Sequence, residues 1–349
     1  MTSGIPRQVI RPPVLPPALR SGDTIGIVSP SSPGASVLTD EVARGTRALE
    51  KLGFQVRFLP NALGRHGWTA APVAARIADL HAAFVDPTIH AVLYSLGGLH
   101  SAQVLDGLDM EVIATNPKIL CGYSDATSLL SAVHEHTGLI TFYGPALIPQ
   151  FGELPEPYPE TSAHFLRVTT EASAAGPCPR IPYTVTDLDF GRREREQRPR
   201  DRSVAPPRRV LQPGSATGPA VVACLPSLRD LVGTPWQPAT AGRVLFLETT
   251  EPPYSAAAAD ADLWHLRNAG MLEGVAAVVL GRTIGWDPAE VEGFVTAIRE
   301  CLDSPGIPLL ADFEFGHANP ILTIPNGILV QVAGDEVSIL QPAVSPRAL

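Results

Sequence analysis

Short apolar runs alternate with amphipathic stretches over residues 24–143. Continuous apolar runs are typical of strands that are buried on both faces of a sheet, and they predict strands over 24–29, 54–59, 91–95 and 118–121. Between them the pattern predicts a helix that Gly53 ends, a helix over 71–84, and a helix that follows Ser124 and reaches about residue 137. Strands that alternate with helices predict an α/β protein with a doubly wound parallel sheet, in which ligands bind beyond the carboxyl ends of the strands.

The pattern changes after residue 168. A helix is predicted over 160–168, and the stretch 176–214 then carries seven Pro and nine Arg with little apolar periodicity, which is typical of a long loop. A second α/β pattern follows, with helices predicted over 227–232, 256–268 and 288–301 and strands over 243–248, 276–280, 328–332 and 337–340. We therefore predict an extended N-terminal tail (1–20), an N-terminal domain (21–168), a Pro/Arg-rich linker (169–217) and a C-terminal domain (218–349).

Composition supports two folded domains and excludes one function class. The chain has 349 residues, of which 45% are hydrophobic and 17% charged, enough apolar material for two cores. The net charge of −9 argues against a general nucleic-acid binder. Only Lys51 and Lys118 are lysines, so nearly all of the basic residues are arginines.

The sequence also indicates a compartment. Five prolines interrupt the first twenty residues, so no apolar segment of signal-peptide length is present, and the longest apolar runs are too short to span a bilayer. Cys121, Cys178, Cys224 and Cys301 lie far apart without a CxxC pair. We expect a cytoplasmic protein that has no membrane segment and whose cysteines are reduced and packed.

Motifs for common cofactors are missing. Neither a GxGxxG turn nor a GxxxxGK[ST] loop occurs in the sequence. The run His134-Glu135-His136 resembles a metal site, but its histidines point to different faces of a helix. The run that begins at Asp187 starts like a calcium loop yet has Arg198 where a bidentate Glu is needed. We therefore expect no cofactor and no metal.

The turn around Ser124 is a candidate catalytic site. A strand runs into Gly122-Tyr-Ser124-Asp125 and a helix follows, an arrangement that exposes the serine Oγ beside free backbone N–H groups. It is similar to a nucleophile elbow, although the second glycine of GxSxG is missing. Alternatively, Ser124 or Asp125 could act only as the N-cap of the helix. The pair Gly97-Gly98 follows the preceding strand and could supply a second oxyanion donor, or it could be an ordinary turn.

Several motifs together resemble those of the LD-carboxypeptidase family. They are LGGL at 96–99, NPKILCGYSDAT at 116–127, TFYGP at 141–145, GTPW at 233–236, VLFLE at 244–248 and GH at 316–317. The segments FYGP and FGE at 151–153 are most similar to the MccF-like branch of that family, the microcin-C immunity peptidases. The resemblance spans about residues 21–332, nearly the whole chain.

The resemblance implies a Ser-Glu-His triad of Ser124, Glu248 and His317, with oxyanion N–H groups at Gly98 and Asp125. It implies a flavodoxin-like N-terminal domain joined to a smaller, swivelling C-terminal domain of mixed α/β type, with the site in the cleft between them. It also implies a homodimer. Two alternatives stay open on the residues themselves: Glu251 could be the histidine's partner, and His317 could only cap a turn.

Two segments depart from the family pattern. Val222 and Ala223 stand where MccF-like members usually carry Gly-Gly, which implies either a reshaped pocket or local repacking. Eight arginines lie between Arg192 and Arg209. They could form a solvated charged loop, or some of them, such as Arg192 and Arg193, could bind a phosphate or carboxylate of the substrate together with Gly97.

We expect a serine carboxypeptidase or amidase that works through an acyl-enzyme. Its substrate would be a muropeptide tetrapeptide that loses its terminal D-alanine, or a peptidyl- or aminoacyl-nucleotide as in the MccF-like branch. Two alternatives remain. The same triad could pass the acyl group to an amine, or the protein could bind a small molecule without catalysis.

Overall fold

The computed structural model describes residues 12–184, 197–204, 207–302 and 304–347. The strands in chain order are β1 (Thr24–Val28), β2 (Gln55–Phe58), β3 (Ile89–Tyr94), β4 (Ile119–Gly122), β5 (Thr141–Tyr143), β6 (Gly176–Pro177), β7 (Tyr183–Thr184), β8 (Arg202–Ser203), β9 (Arg209–Gln212), β10 (Ser215–Cys224), β11 (Val244–Glu248), β12 (Ala277–Gly281), β13 (Leu309–Phe313), β14 (Ile324–Asn326), β15 (Leu329–Ala333) and β16 (Glu336–Ile339). The α-helices are α1 (Thr39–Lys51), α2 (Val73–Val85), α3 (Met110–Thr115), α4 (Ala126–Thr137), α5 (Pro159–Thr170), α6 (Leu225–Arg229), α7 (Ala256–Asn268) and α8 (Pro288–Leu302).

The first sheet has the order β14-β5-β4-β3-β1-β2. Strands β1 to β5 are parallel, and their order 2-1-3-4-5 is that of flavodoxin-like sheets. The predicted α/β fold is therefore confirmed. The sixth strand, β14, was not predicted. It comes from the C-terminal part of the chain and pairs antiparallel with β5. It has three residues with Pro325 in the middle, and such a segment carries no strand signal in the sequence.

The second sheet has eight strands in the order β6-β16-β15-β10-β11-β12-β13-β9. Its central strands, β10 to β13, are parallel, and those at both ends are antiparallel to their neighbours. This agrees with the mixed α/β domain that the resemblance implies. Strand β10 joins the two parts of the sheet, since its first half pairs with β15 and its second half with β11.

The described parts of the segments predicted as tail and linker contact the two sheets. Residues 12–20 form two isolated parallel bridges, Val14 with Leu139 and Pro17 with Ser345. Leu19 is buried, and the Ala18 amide donates to Ser345 O at 2.9 Å. The predicted linker contributes β6 and β9 to opposite edges of the second sheet. Strand β6 pairs with β16 and strand β9 pairs with β13, so backbone hydrogen bonds hold these two parts of the predicted linker to the sheet. The domain boundaries themselves stay a prediction.

One apolar core connects the two sheets. Its aromatic centre brings Phe246 of β11 and Phe315 together at 5.7 Å between ring centroids, and Tyr143 of β5 lies 6.0 Å from Phe315. All four cysteines are buried and unpaired, and no helix in the described ranges is long and apolar enough for a bilayer crossing. The strands of both sheets that carry the candidate site residues therefore pack on the same apolar core.

A buried charge cluster fixes the predicted linker to the second sheet. Glu314 is fully buried and accepts hydrogen bonds from Arg208 Nε at 2.7 Å and from Arg282 Nη2 at 3.1 Å. The Arg208 guanidinium also lies over the Phe313 ring, 4.6 Å from its centroid. A buried carboxylate needs such partners because desolvation of an unpaired charge is unfavourable.

We predict that Glu314→Gln lowers the free energy of unfolding by about 3–5 kcal/mol, because it leaves two buried guanidinium groups without their counter-charge. Urea denaturation followed by circular dichroism measures the change. The matched control is Glu156→Gln, which removes an exposed ion pair with Lys51 and should have a much smaller effect. Equal, small losses in the two variants would contradict a structural role for the cluster.

Candidate active site

Ser124 occupies the sharp turn between β4 and α4. Its φ of +60° is unusual for a residue other than glycine, and backbone strain of this kind concentrates at functional sites. Thr127 fixes the turn by donating from Oγ1 to Ser124 O at 2.7 Å. Gly97 lies directly against the serine, since a Cβ at Gly97 would come within 2.9 Å of Ser124 Cβ. A side chain at Gly97 would therefore displace Ser124.

Asp125 does not cap the helix with its side chain. Its Oδ2 instead accepts hydrogen bonds from the amides of His100 and Ser101, each at 2.8 Å. The carboxylate thereby ties the loop that contains Gly97 and Gly98 to the start of α4. Within the described residues, no acceptor takes the backbone N–H of Gly98 or of Asp125, so both remain available to a ligand.

His317 follows β13 and lies between Ser124 and Glu248. Its Nε2 is 3.0 Å from Ser124 Oγ, and its Nδ1 is 2.7 Å from Glu248 Oε2. The ring is nearly buried, with 7% of the side chain exposed, and Tyr123 packs on it at 4.9 Å between centroids. These contacts join residues from the two sheets into one hydrogen-bonded chain.

Glu248 is the last residue of β11 and is 1% exposed. Its second oxygen, Oε1, accepts a hydrogen bond from the Tyr143 hydroxyl at 2.5 Å. Glycine is required beside it, because a Cβ at Gly316 would lie 2.6 Å from Oε2 and one at Gly281 would lie 2.7 Å from Glu248 Cβ. Gly316 also has a φ of +95°, which explains the glycine of the Gly-His motif.

Tyr143, which has no functional signal in the sequence, lies at the centre of the site. Its hydroxyl accepts from the Ser124 amide at 2.8 Å while donating to Glu248. Burial first, and then the charge of Glu248, raise the pKa of Tyr143 well above its ordinary value, so the phenol keeps its proton. In the sequence it belongs to the motif TFYGP, where a tyrosine in an apolar strand resembles a core residue.

The electrostatics of His317 result from opposing effects. Burial acts to lower its pKa, because desolvation disfavours the charged ring. The charge and hydrogen bond of Glu248, with the charge of Glu251, outweigh burial and raise the pKa above its ordinary value. Glu251 Oε2 lies 3.6 Å from Nε2, so the two carboxylates face opposite nitrogens of the ring.

The candidate metal ligands are better explained as hydrogen-bonding groups. In the described part of the chain, Cys224, Glu248 and His317 have ligand atoms within 4.8 Å of one another. Burial raises the pKa of Cys224 well above its ordinary value, which disfavours the thiolate that a metal needs, and the ring nitrogens and the carboxylate oxygens have the partners named above. In the His134-Glu135-His136 run, Glu135 pairs with Arg243, and the two histidines form hydrogen bonds with the carbonyl oxygens of Leu139 and Pro235.

The first departure from the family pattern, at Val222 and Ala223, lies in the core of the second sheet. Val222 and Ala223 are fully buried within β10, where they pair in register with Phe246 and Leu247. Their side chains thus belong to the sheet core, which favours local repacking over a reshaped pocket.

Arg192 and Arg193 lie outside the described residues. Other arginines of that stretch pair with protein carboxylates: Arg200 with Glu153, Arg202 with Glu160, Arg208 with Glu314, and Arg209 with Asp312 and Glu292. The pairs of Arg200 and Arg208 are almost completely buried. These ion pairs join the described part of the arginine-rich stretch to the two sheets and their helices, whereas the arginines of a solvated loop would face water.

A serine at a strained strand-to-helix turn, hydrogen-bonded to a histidine that a buried carboxylate orients, is the arrangement of serine hydrolases. Two family models match the chain, the LD-carboxypeptidase N-terminal domain over residues 25–144 and the LD-carboxypeptidase C-terminal domain over residues 217–332. The chain therefore belongs to the LD-carboxypeptidase family of peptidases, as its motifs predict.

Individual relatives extend over nearly the whole chain. A probable murein peptide carboxypeptidase of Bacillus subtilis (strain 168) is 31% identical over 339 residues, which cover 96% of each protein. The microcin C7 self-immunity protein MccF of Escherichia coli is 29% identical over 342 residues, 94% of this chain and 95% of that protein. A solved structure of MccF in complex with glutamyl sulfamoyl guanosine has a TM-score of 0.86 at 28% identity and covers 95% of this chain and 100% of that chain.

We predict that the His317 ring titrates above the ordinary histidine pKa of about 6.5, and that Glu248→Gln lowers this midpoint. The physical reason is that burial lowers the pKa of the ring, and the negative charge of Glu248 is the main effect that raises it. NMR titration of the ring, with resonances assigned by His317→Asn, measures both values. Glu50→Gln, on the exposed face of α1, should leave the midpoint unchanged. A midpoint that Glu248→Gln does not move would refute the coupling.

Proposed function

We propose that this protein is a serine peptidase or amidase whose triad consists of Ser124, His317 and Glu248. The observation that carries the proposal is the continuous hydrogen-bonded chain from Ser124 Oγ to His317 and on to Glu248, at 3.0 and 2.7 Å. Membership of a peptidase family supports it independently. The free amides of Gly98 and Asp125 are suited to an oxyanion hole, because both belong to segments that border Ser124.

In the first half-reaction, Ser124 Oγ attacks the carbonyl carbon of the amide while its proton passes to His317 Nε2. The resulting oxyanion accepts hydrogen bonds from the amides of Gly98 and Asp125. The C–N bond then breaks as Nε2 returns the proton to the leaving nitrogen, which gives an acyl-serine and a free amine.

In the second half-reaction, water attacks the acyl-serine and gives its proton to His317 Nε2. The bond between the carbonyl carbon and Oγ breaks, and Oγ recovers the proton from the ring. Throughout both halves Glu248 holds the proton on Nδ1, which keeps Nε2 in the basic form that the reaction needs.

The substrate that we propose is an acyl residue in amide linkage, from one of the two classes that the relatives suggest. One relative is named as a murein peptide carboxypeptidase, and the MccF structure holds an aminoacyl sulfamoyl nucleoside. We also propose that the protein works in the cytoplasm as a homodimer, on the resemblance of its motifs to the family.

The proposed nucleophile is tested with a fluorophosphonate probe, which reacts with activated serines. We predict that the wild-type protein is labelled on Ser124, and that Ser124→Ala and His317→Ala abolish labelling because they remove the nucleophile and its base. Ser304→Ala, an exposed serine on another face, is the matched control and should be labelled like the wild type. Circular dichroism of each variant shows that the fold is retained.

The same variants distinguish an enzyme from a binding protein in a hydrolysis assay with two substrates side by side, a tetrapeptide muropeptide and an aminoacyl sulfamoyl-adenosine. We expect amide cleavage of at least one of them by the wild-type and Ser304→Ala proteins, and a loss of at least about a thousand-fold in kcat for Ser124→Ala. Full activity of Ser124→Ala, or cleavage of neither amide, would overturn the proposed function.

A further inference from the structure

Glu251 is a second carboxylate beside the proposed catalytic histidine. It lies three residues beyond Glu248, just after β11, and its Oε2 is 3.6 Å from His317 Nε2. Thr250 fixes this carboxylate by donating from Oγ1 to the same oxygen at 2.9 Å. The nitrogen that Glu251 approaches is the one that also faces Ser124 Oγ, so this side chain stands at the reacting end of the ring.

The two carboxylates differ in their access to solvent. The side chain of Glu248 is completely buried and meets Nδ1, whereas 37% of the Glu251 side chain is exposed. Glu248 already orients the ring, so a second carboxylate is not needed for that purpose. A partly exposed carboxylate that borders the nucleophile is instead open to a ligand that occupies the site.

In the free protein, the contact of Glu251 with the ring opposes catalysis. A protonated imidazole has one N–H at Nε2, which is within hydrogen-bonding distance of Ser124 Oγ at 3.0 Å, and Glu251 Oε2 acts on the ring through its charge from 3.6 Å. The carboxylate also stabilises the charged ring, which has no capacity left to accept the serine proton. In the described part of the chain, no arginine or lysine forms an ion pair with Glu251. A positive group on the substrate would therefore supply the missing partner and draw the carboxylate away from Nε2.

The reaction geometry brings a substrate group within reach. The scissile carbonyl carbon must approach Ser124 Oγ to about 3–3.5 Å before attack, and Oγ is itself 3.0 Å from Nε2. Substituents of the acyl residue then lie near the nitrogen that Glu251 borders. An ammonium group is the fitting occupant, because it offers three donors and a positive charge to a carboxylate that has only a hydroxyl and the ring as partners.

We propose that Glu251 binds an ammonium group of the substrate's acyl residue and thereby selects substrates that carry one. The inference rests on the proposed function, since it assigns the acyl side of the same site. Glu251 is thus a specificity-determining residue, while Glu248 orients the base. An acyl residue with a carboxylate at that place is disfavoured, because it would meet a like charge.

The test uses three sulfamoyl-adenosine compounds whose acyl group is in amide linkage to the sulfamoyl nitrogen: norleucyl, Nα-acetyl-norleucyl and Nα-acetyl-lysyl. They carry an α-ammonium group, no ammonium group and a side-chain ammonium group respectively. Their kcat/KM values are measured with the wild-type protein, Glu251→Gln and the control Glu50→Gln. Dissociation constants are measured by calorimetry in a Ser124→Ala background, where turnover cannot interfere.

With the wild-type and Glu50→Gln proteins, we expect at least one ammonium-bearing compound to exceed the Nα-acetyl-norleucyl compound about ten-fold or more in affinity and in kcat/KM. Glu251→Gln should reduce this preference to near unity, and the compound that is preferred identifies the α or the side-chain position. Equal affinities, binding of none of the three, or a preference that survives Glu251→Gln would overturn the inference. Ammonium-dependent binding without cleavage of any amide would instead refute the proposed function and leave the role of Glu251 standing.

Discussion

The buried carboxylate of Glu248 is the interaction on which the rest of the site depends. It is 1% exposed at the end of an apolar strand, where an ionised group is unfavourable unless both of its oxygens have hydrogen-bond donors. Tyr143, from the first sheet, supplies one donor and His317, beyond the last parallel strand of the second sheet, supplies the other. Because Tyr143 also accepts from the Ser124 amide, a single carboxylate links the two sheets and aligns the proposed nucleophile with its base.

Several features that are otherwise unrelated serve this arrangement. Gly281 and Gly316 leave space for the carboxylate, where any side chain would collide with it. Strand β14 returns from the C-terminal part of the chain and pairs with β5, the strand that carries Tyr143. The aromatic cluster of Phe246 and Phe315 packs beneath the same point. The two halves of the chain therefore share one core and cannot separate without exposing a buried charge, and so we expect the site to act as one rigid unit with Glu251 at its open side.

The parts of this account that the sequence could predict are those with a local signal. Short apolar runs predicted the parallel strands β1 to β4, β11 and β12 but not β5, β10 or β13, and Gly122 before Ser124 predicted the sharp turn. Strand β14 escaped prediction because three residues with a central proline have no periodicity. The contact of Tyr143 with Glu248 spans 105 positions in the sequence, and a tyrosine in an apolar strand resembles any core residue. Arg208 resembled a loop residue because its partner, Glu314, is distant in the sequence. Hydrophobic periodicity therefore predicted local elements, whereas it could not predict contacts between polar groups that are distant in the sequence.

The most direct test of this account is the steady-state activity of Tyr143→Phe, which removes one hydroxyl group and keeps the ring that packs in the core. The hydroxyl is fully buried and contacts Glu248 and the Ser124 amide. Its loss leaves a buried carboxylate oxygen without a donor, so the account predicts that kcat falls about ten- to a hundred-fold, that KM changes little and that the free energy of unfolding falls by about 1–3 kcal/mol. Unchanged kcat in a folded Tyr143→Phe protein would show that the carboxylate does not need this link, and would contradict the central place given to Glu248.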